Sequence, residues 1–123
     1  AYRDRGDAYI TRVFDLSDDI AAAEHFLVSL SAGGGGDGPE SVVAAVEAAL
    51  FEISWDRSDG VDRQVFLIGD APPHLDYSDA PTPEELIAKA RSQRVVINAV
   101  GCRSLSADGI EIFCLTLLFQ NVQ

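Results

Sequence analysis

Two short, unbroken apolar runs constrain this chain most: QVFLI at 64–68 and VVINAV at 95–100. A strand with one face in water alternates apolar and polar residues. An unbroken run marks a strand buried on both faces, as in parallel sheets. Each run ends at a glycine, Gly69 or Gly101. Between them lies a helix signal. Thr82 is a capping residue, Pro83 suits the first position, and Glu84 and Glu85 complement the helix dipole in the first turn. This helix is expected to reach about Gln93. Strand, helix, strand in that order predicts two parallel strands joined by a crossover.

The pattern extends upstream. Residues 9–16 (YITRVFDL) are rich in β-branched and aromatic types and read as a further strand. Ser17 or Asp18 then caps a helix over 20–30, with Ile20, Ala23, Phe26, Leu27 and Leu30 on one face. Four glycines at 33–36 end it. Asp37 is a good capping type and Pro39 a good first-turn residue, and an Ala-rich helix is expected over 42–53, with Trp55 at its end against the sheet's rim. Ser106 or Asp108 opens a last apolar segment to about Phe119. The sum is one α/β domain spanning 1–123: an open, mostly parallel sheet with helices on both faces. In such sheets ligands bind at the carboxyl ends of the strands. Attention falls on 15–17, 69–76, 101–106 and the glycine loop.

Composition removes several classes. The 123 residues carry 20 Asp plus Glu against 9 Lys plus Arg, a net charge of −11. Such a surface repels phosphate backbones and anionic lipid, so nucleic acid and membrane insertion are not expected. Divalent cations and basic protein surfaces suit it better. No apolar run reaches the roughly 18–20 residues of a membrane span. The first residues, AYRDRGD, are polar, so no signal peptide is expected here, and the lack of Met predicts a processed product or part of something longer. Cys102 and Cys114 cannot make a disulfide framework, and whether they pair is open. The compartment, extracellular, cell-envelope or cytoplasmic, is likewise open.

Acidic residues converge on the expected binding edge. Asp70 directly follows QVFLI, and Asp37 and Glu40 lie in GGGGDGPES at a helix start. A carboxylate at the tip of a buried strand is costly to desolvate unless paired or bound to a cation. Magnesium, held by one or two carboxylates plus waters, suits the set. The plainer reading is that Asp37 caps the helix and Glu40 closes a capping box.

YRDRGD, GGGGDGPES and LIGDAPPH, in this order and separation, resemble a von Willebrand factor A domain. The flavour is that of bacterial A-domain proteins, alpha-kinase-associated A domains and the integrin β inserted domain. The resemblance runs from about Tyr2 to Cys102. It implies a Rossmann-like open sheet with a metal-ion-dependent adhesion site, where Mg²⁺ or Mn²⁺ takes a carboxylate from a partner protein. On that resemblance Glu40 matches the second-loop ligand, with Asp37 beside it, and Asp70 the third-loop ligand. Gly69, Pro39 and His74 support the loops. The Asp-x-Ser-x-Ser loop and the first central strand that precedes it are absent. Metal binding by this chain alone is therefore expected to be weak or nil, and the open sheet edge invites strand exchange or aggregation. Gly35 stands where an asparagine ligand of a neighbouring calcium site would be, and CLTLLFQNVQ departs from the family's closing segment.

The function expected is a protein-interaction or adhesion module, not an enzyme. The alternative is a metal-free structural or interaction domain. A remote alternative is a Cys-His hydrolase, with Cys102 as nucleophile, His74 as base and Asp70 orienting it. Plainer readings are a loop-stabilising His74, a surface His25 and two buried cysteines. The tripeptide Arg5-Gly6-Asp7 reads as turn chemistry, and GGGGDGPES lacks the lysine of a phosphate loop.

Overall fold

The structure, a computed structural model, describes residues 1–34, 36 and 38–102. Asp37, Gly35, Cys114 and the apolar segment expected over 106–119 lie outside the described residues. Five elements follow in order: α1 (Ile20–Val28), α2 (Val42–Phe51), β1 (Arg63–Gly69), α3 (Pro83–Gln93) and β2 (Val95–Gly101). The two strands pair in parallel, with Arg63 opposite Val95 and Gly69 opposite Gly101. This is the α/β unit expected from the two apolar runs.

Helix α3 follows its local chemistry. The Thr82 side chain accepts from the Glu85 N–H while the Glu85 carboxylate accepts from the Thr82 N–H, a reciprocal capping box. Arg94 ends the helix in the left-handed region, at φ 54°. Helix α2 begins later than Asp37 and Pro39 imply: Ser41 is its N-cap, and the Ser41 hydroxyl donates elsewhere. Helix α1 is capped by Asp19, not by Ser17 or Asp18, through the Ala22 N–H at 2.9 Å.

The core is one layer deep. Val42, Val46 and Leu50 of α2, Leu86 and Ala90 of α3, Leu67 of β1, and Val95 and Ile97 of β2 form a single buried cluster. These strand residues share one face, so α2 and α3 cover the same side of the sheet. Phe66, Ile68, Val96 and Val100, on the opposite face, are exposed. Burial of both strands on both faces is thus not found among the described residues. The apolar runs are continuous, but among the described residues only one face has a helical layer over it.

Two further expectations are corrected. Residues 9–16 form no strand: an antiparallel bridge joins Tyr2 to Thr11, the Arg3 N–H donates to the Ile10 carbonyl and the Arg12 N–H to the Ala1 carbonyl, and among the described residues no strand pairs with residues 13–16. β-propensity alone does not extend so short a pairing into a ladder. The apolar face of α1 is not buried either. Ile20 is 66% and Leu27 63% exposed, and Phe26 ties α1 to the segment before it, stacking on Phe14 with centroids 5.4 Å apart and lying under the Arg12 guanidinium, 5.6 Å from the ring centroid.

Candidate functional site

The carboxyl ends of both strands meet at one edge, where the Cys102 N–H donates to the Gly69 carbonyl at 2.7 Å. From Gly69 the chain enters the 70–76 loop. Glu40 runs beside that loop as a one-residue parallel bridge to Pro73. The Glu40 N–H donates to the Pro72 carbonyl and the His74 N–H to the Glu40 carbonyl, both at 2.9 Å. Backbone pairing therefore brings the glycine loop and the post-strand loop together, residues 30 positions apart in sequence.

Glu40 and Asp70 line the same cleft, of about 380 Å³, with Tyr2, Arg3, Tyr9 and Gly69 among its other walls. Tyr2 reports the local field. Its hydroxyl, which donates to the Ile68 carbonyl at 3.4 Å, is pushed up to about 12, first by burial and then by the charges of Glu40, Asp70 and Cys102. Two carboxylates thus act on one phenol. Pro39 is half-buried beside Glu40, and Gly69 is half-buried under the cleft. Asp37, the third sequence-based ligand, lies outside the described residues.

His74 belongs to a different, buried cluster that clamps these loops to the amino-terminal segment. It is 8% exposed, and its Nδ1 lies 2.7 Å from Asp76 Oδ1 and its Nε2 3.7 Å from Asp4 Oδ2. Its ring stacks on Tyr77, with centroids 4.5 Å apart. Asp4, 7% exposed, accepts from Ser41 Oγ at 2.8 Å and from the Tyr77 hydroxyl at 3.2 Å. Burial works to raise the Asp4 carboxyl. The Ser41 hydroxyl, the Arg5 N–H, the Tyr77 hydroxyl and the His74 charge outweigh it, and the group titrates below the usual carboxylate range. Asp76 is lowered as well, chiefly by its hydrogen bond with His74.

Arg5 closes the outside of this cluster. Its guanidinium lies 3.9 Å from the Tyr77 ring centroid and 2.8 Å from Asp79. Arg5-Gly6-Asp7 is therefore a turn with its arginine engaged: Gly6 adopts φ +95°, and the Asp7 N–H donates to the Asp4 carbonyl. Gly34 is also required by geometry, since its φ is +104° and the Asp7 carboxylate occupies the place a Cβ would take.

Asp4, Ser41 and Tyr77 escaped the sequence reading. An aspartate between two arginines in YRDRGD looks solvated, and its partners lie 37 and 73 residues away. No local signal announces such a contact.

Chemically, the two sites differ. The Asp4–Ser41–His74–Tyr77 cluster is enclosed and holds loops together; the Ser41 hydroxyl is buried and donates to a carboxylate. The Glu40–Asp70 cleft is open and anionic. Among the described residues no group of three or more His, Cys, Asp or Glu is close enough to hold a metal ion. Two carboxylates with waters are nonetheless a donor set that magnesium accepts. Cys102 is exposed, while both His74 ring nitrogens face carboxylates. No described helix is long and apolar enough to cross a membrane. Compared with protein-family models, curated proteins and solved structures, the chain finds no match.

Proposed function

We propose that this chain is a protein-interaction module of the von Willebrand factor A kind that binds rather than catalyses. In this reading the cleft at the carboxyl edge of its sheet takes Mg²⁺ or Mn²⁺. The observation that carries the reading is the meeting of Glu40 and Asp70 in one open, anionic cleft. Glu40 and Asp70 hold the ion, directly or through water, with Asp37 as a third donor. His74, Gly69 and Pro39 support the loops. The bound ion supplies the positive charge that lets a surface of net charge −11 accept an acidic side chain from a partner protein. The finer architecture, a Rossmann-like open sheet, belongs to the same proposal.

The test is a Mg²⁺ and Mn²⁺ titration read by calorimetry and by heat stability, on this chain and on Asp70→Ala. A ligand that binds only the folded state stabilises it by about 2.7 kcal/mol at 100 times its Kd. Two described carboxylates predict affinity weaker than micromolar, and loss of the response in Asp70→Ala. A response unchanged by Asp70→Ala removes Asp70 from the site. If no metal response occurs at all, the second reading takes over: a metal-free interaction or structural domain. That reading is favoured by the lack of a three-donor group among the described residues.

A further inference from the structure

The amino ends of the two strands meet at the edge opposite the Glu40–Asp70 cleft. β1 starts at Arg63, and Arg94 stands immediately before β2. Strand steps of about 3.3 Å put this edge roughly 20 Å from the other. A pocket of about 320 Å³ opens here, walled by Arg57, Asp59, Arg63, Ser92, Gln93 and Arg94. None of these side chains is apolar. Three guanidiniums against one carboxylate give the pocket a charge of +2, in a chain whose net charge is −11.

Each arginine has something to gain from an anion. Arg63 is buried, 6% exposed. Its Nε–H donates to the Asp56 carbonyl, Nη2 to the Ser58 carbonyl at 3.0 Å and Nη1 to the Gln93 carbonyl at 3.5 Å. A guanidinium has five N–H groups, so two remain once these bonds are made. All three partners are neutral. The Asp56 carboxylate feels the Arg63 charge but accepts from the Ser58 N–H at 2.8 Å. A buried charge without a close counter-ion is costly, and a bound anion lowers that cost.

Arg94 pairs with Asp59 at 3.3 Å, but the two side chains are 77% and 99% exposed, and such a contact is readily exchanged for a stronger one. Its backbone ends α3 at φ 54°, among the described residues the one non-glycine in the left-handed region, where glycine is the usual choice. A long side chain stands where the backbone favours none, which points to a use for its guanidinium. Arg57 has no hydrogen bond, ion pair or ring contact among the described residues.

We propose that this pocket binds a phosphomonoester carried on a small polar molecule. Such a group carries about −1.5 to −2 charge near pH 7 and three acceptor oxygens, which matches the local +2 and the spare N–H groups. Guanidinium forks bind phosphate oxygens in pairs. A carboxylate offers half the charge and fewer oxygens. The acidic remainder of the chain repels extended polyanions, so the ligand is compact. The volume lies near the lower end of the roughly 300–1,000 Å³ of small-molecule sites, and the all-polar walls exclude an apolar body. The pocket shares no residue with the Glu40–Asp70 cleft, so the two proposals fail separately.

The probe is glycerol phosphate, added to the whole chain without divalent cations and followed by amide NMR. Saturable shifts confined to residues 57–63 and 92–94 are expected. Arg94→Gly removes a guanidinium and suits the left-handed backbone, so Tm should hold or rise while affinity falls about tenfold. Asp59→Asn removes the competing carboxylate and should tighten binding about threefold. Arg12→Gln makes the same change in net charge outside the pocket and should alter affinity less than about twofold. Glycerate, the carboxylate counterpart, should bind about tenfold more weakly or worse. Absence of saturable shifts at these residues overturns the proposal. Equal weakening by Arg94→Gly and Arg12→Gln also overturns it, since binding then follows net charge alone. Glycerate binding as tightly as glycerol phosphate refutes the phosphate assignment. A Gly-Ala peptide with one phosphoserine that binds more tightly than glycerol phosphate refutes the small-molecule assignment.

Discussion

Replacing Asp4 by alanine should loosen both loops that carry Glu40 and Asp70. The carboxylate is buried and accepts from the Ser41 and Tyr77 hydroxyls, with His74 Nε2 at 3.7 Å. Hydrogen bonds to a charged group are worth about 1.5–3 kcal/mol each. Removing one member of a buried charged cluster strands its partners and costs about 3–5 kcal/mol. That is a large share of the roughly 5–15 kcal/mol that holds a typical domain together. Urea unfolding of Asp4→Ala should therefore show a midpoint shifted by about 3–5 kcal/mol at an unchanged slope. Asp4→Asn, which keeps shape and one acceptor oxygen, should lose less. Combining Asp4→Ala with Ser41→Ala should cost less than the sum of the two, because both remove the same bond. A loss under about 1 kcal/mol for Asp4→Ala, or strict additivity with Ser41→Ala, would refute the clamp.

Three further outcomes follow from the same geometry. The Tyr2 phenol should ionise near pH 12 in an ultraviolet titration; Glu40→Gln with Asp70→Asn should lower that value, though not to the ordinary ~10, since burial is the larger cause. Because neutral Tyr2 is favoured by the fold, its contribution to stability is full below pH ~10 and is lost as pH rises toward 12. Asp4 and Asp76 titrate below the ordinary carboxylate value of ~3.9, so their stabilisation is full above that pH and disappears as pH falls through their native values; acid unfolding of Asp4→Asn should be less steep below pH ~4. Thr82→Ala removes the capping box of α3 and should cost about 1 kcal/mol, read as a fall in Tm.

What could be read from the sequence was what local chemistry decides. The capping box at Thr82 and Glu85 and the apolar runs of β1 and β2 needed no distant partner, and both strands and α3 stand where the pattern placed them. Residues 9–16 carry the same β-rich composition, but among the described residues only 10–12 are paired, with the short segment 1–3, so the composition did not become a strand. Burial of the sheet on both faces is not found among the described residues for a related reason: continuous apolar runs tell what a strand tolerates, not which layers cover it. Glu40 and Asp70 were legible because strand ends and helix starts converge in parallel sheets. The Asp4 cluster was not, because its members are joined only by tertiary contact. Its signal is burial, which no spacing encodes.

The most direct test of the binding reading is a Mn²⁺ titration followed by amide NMR. Paramagnetic broadening should begin at Tyr2, Glu40, Gly69 and Asp70, at concentrations above the micromolar range, and should vanish at those amides in Asp70→Asn. Broadening that spreads evenly over the exposed carboxylates, with no preference for this cleft and no change in Asp70→Asn, would contradict the account.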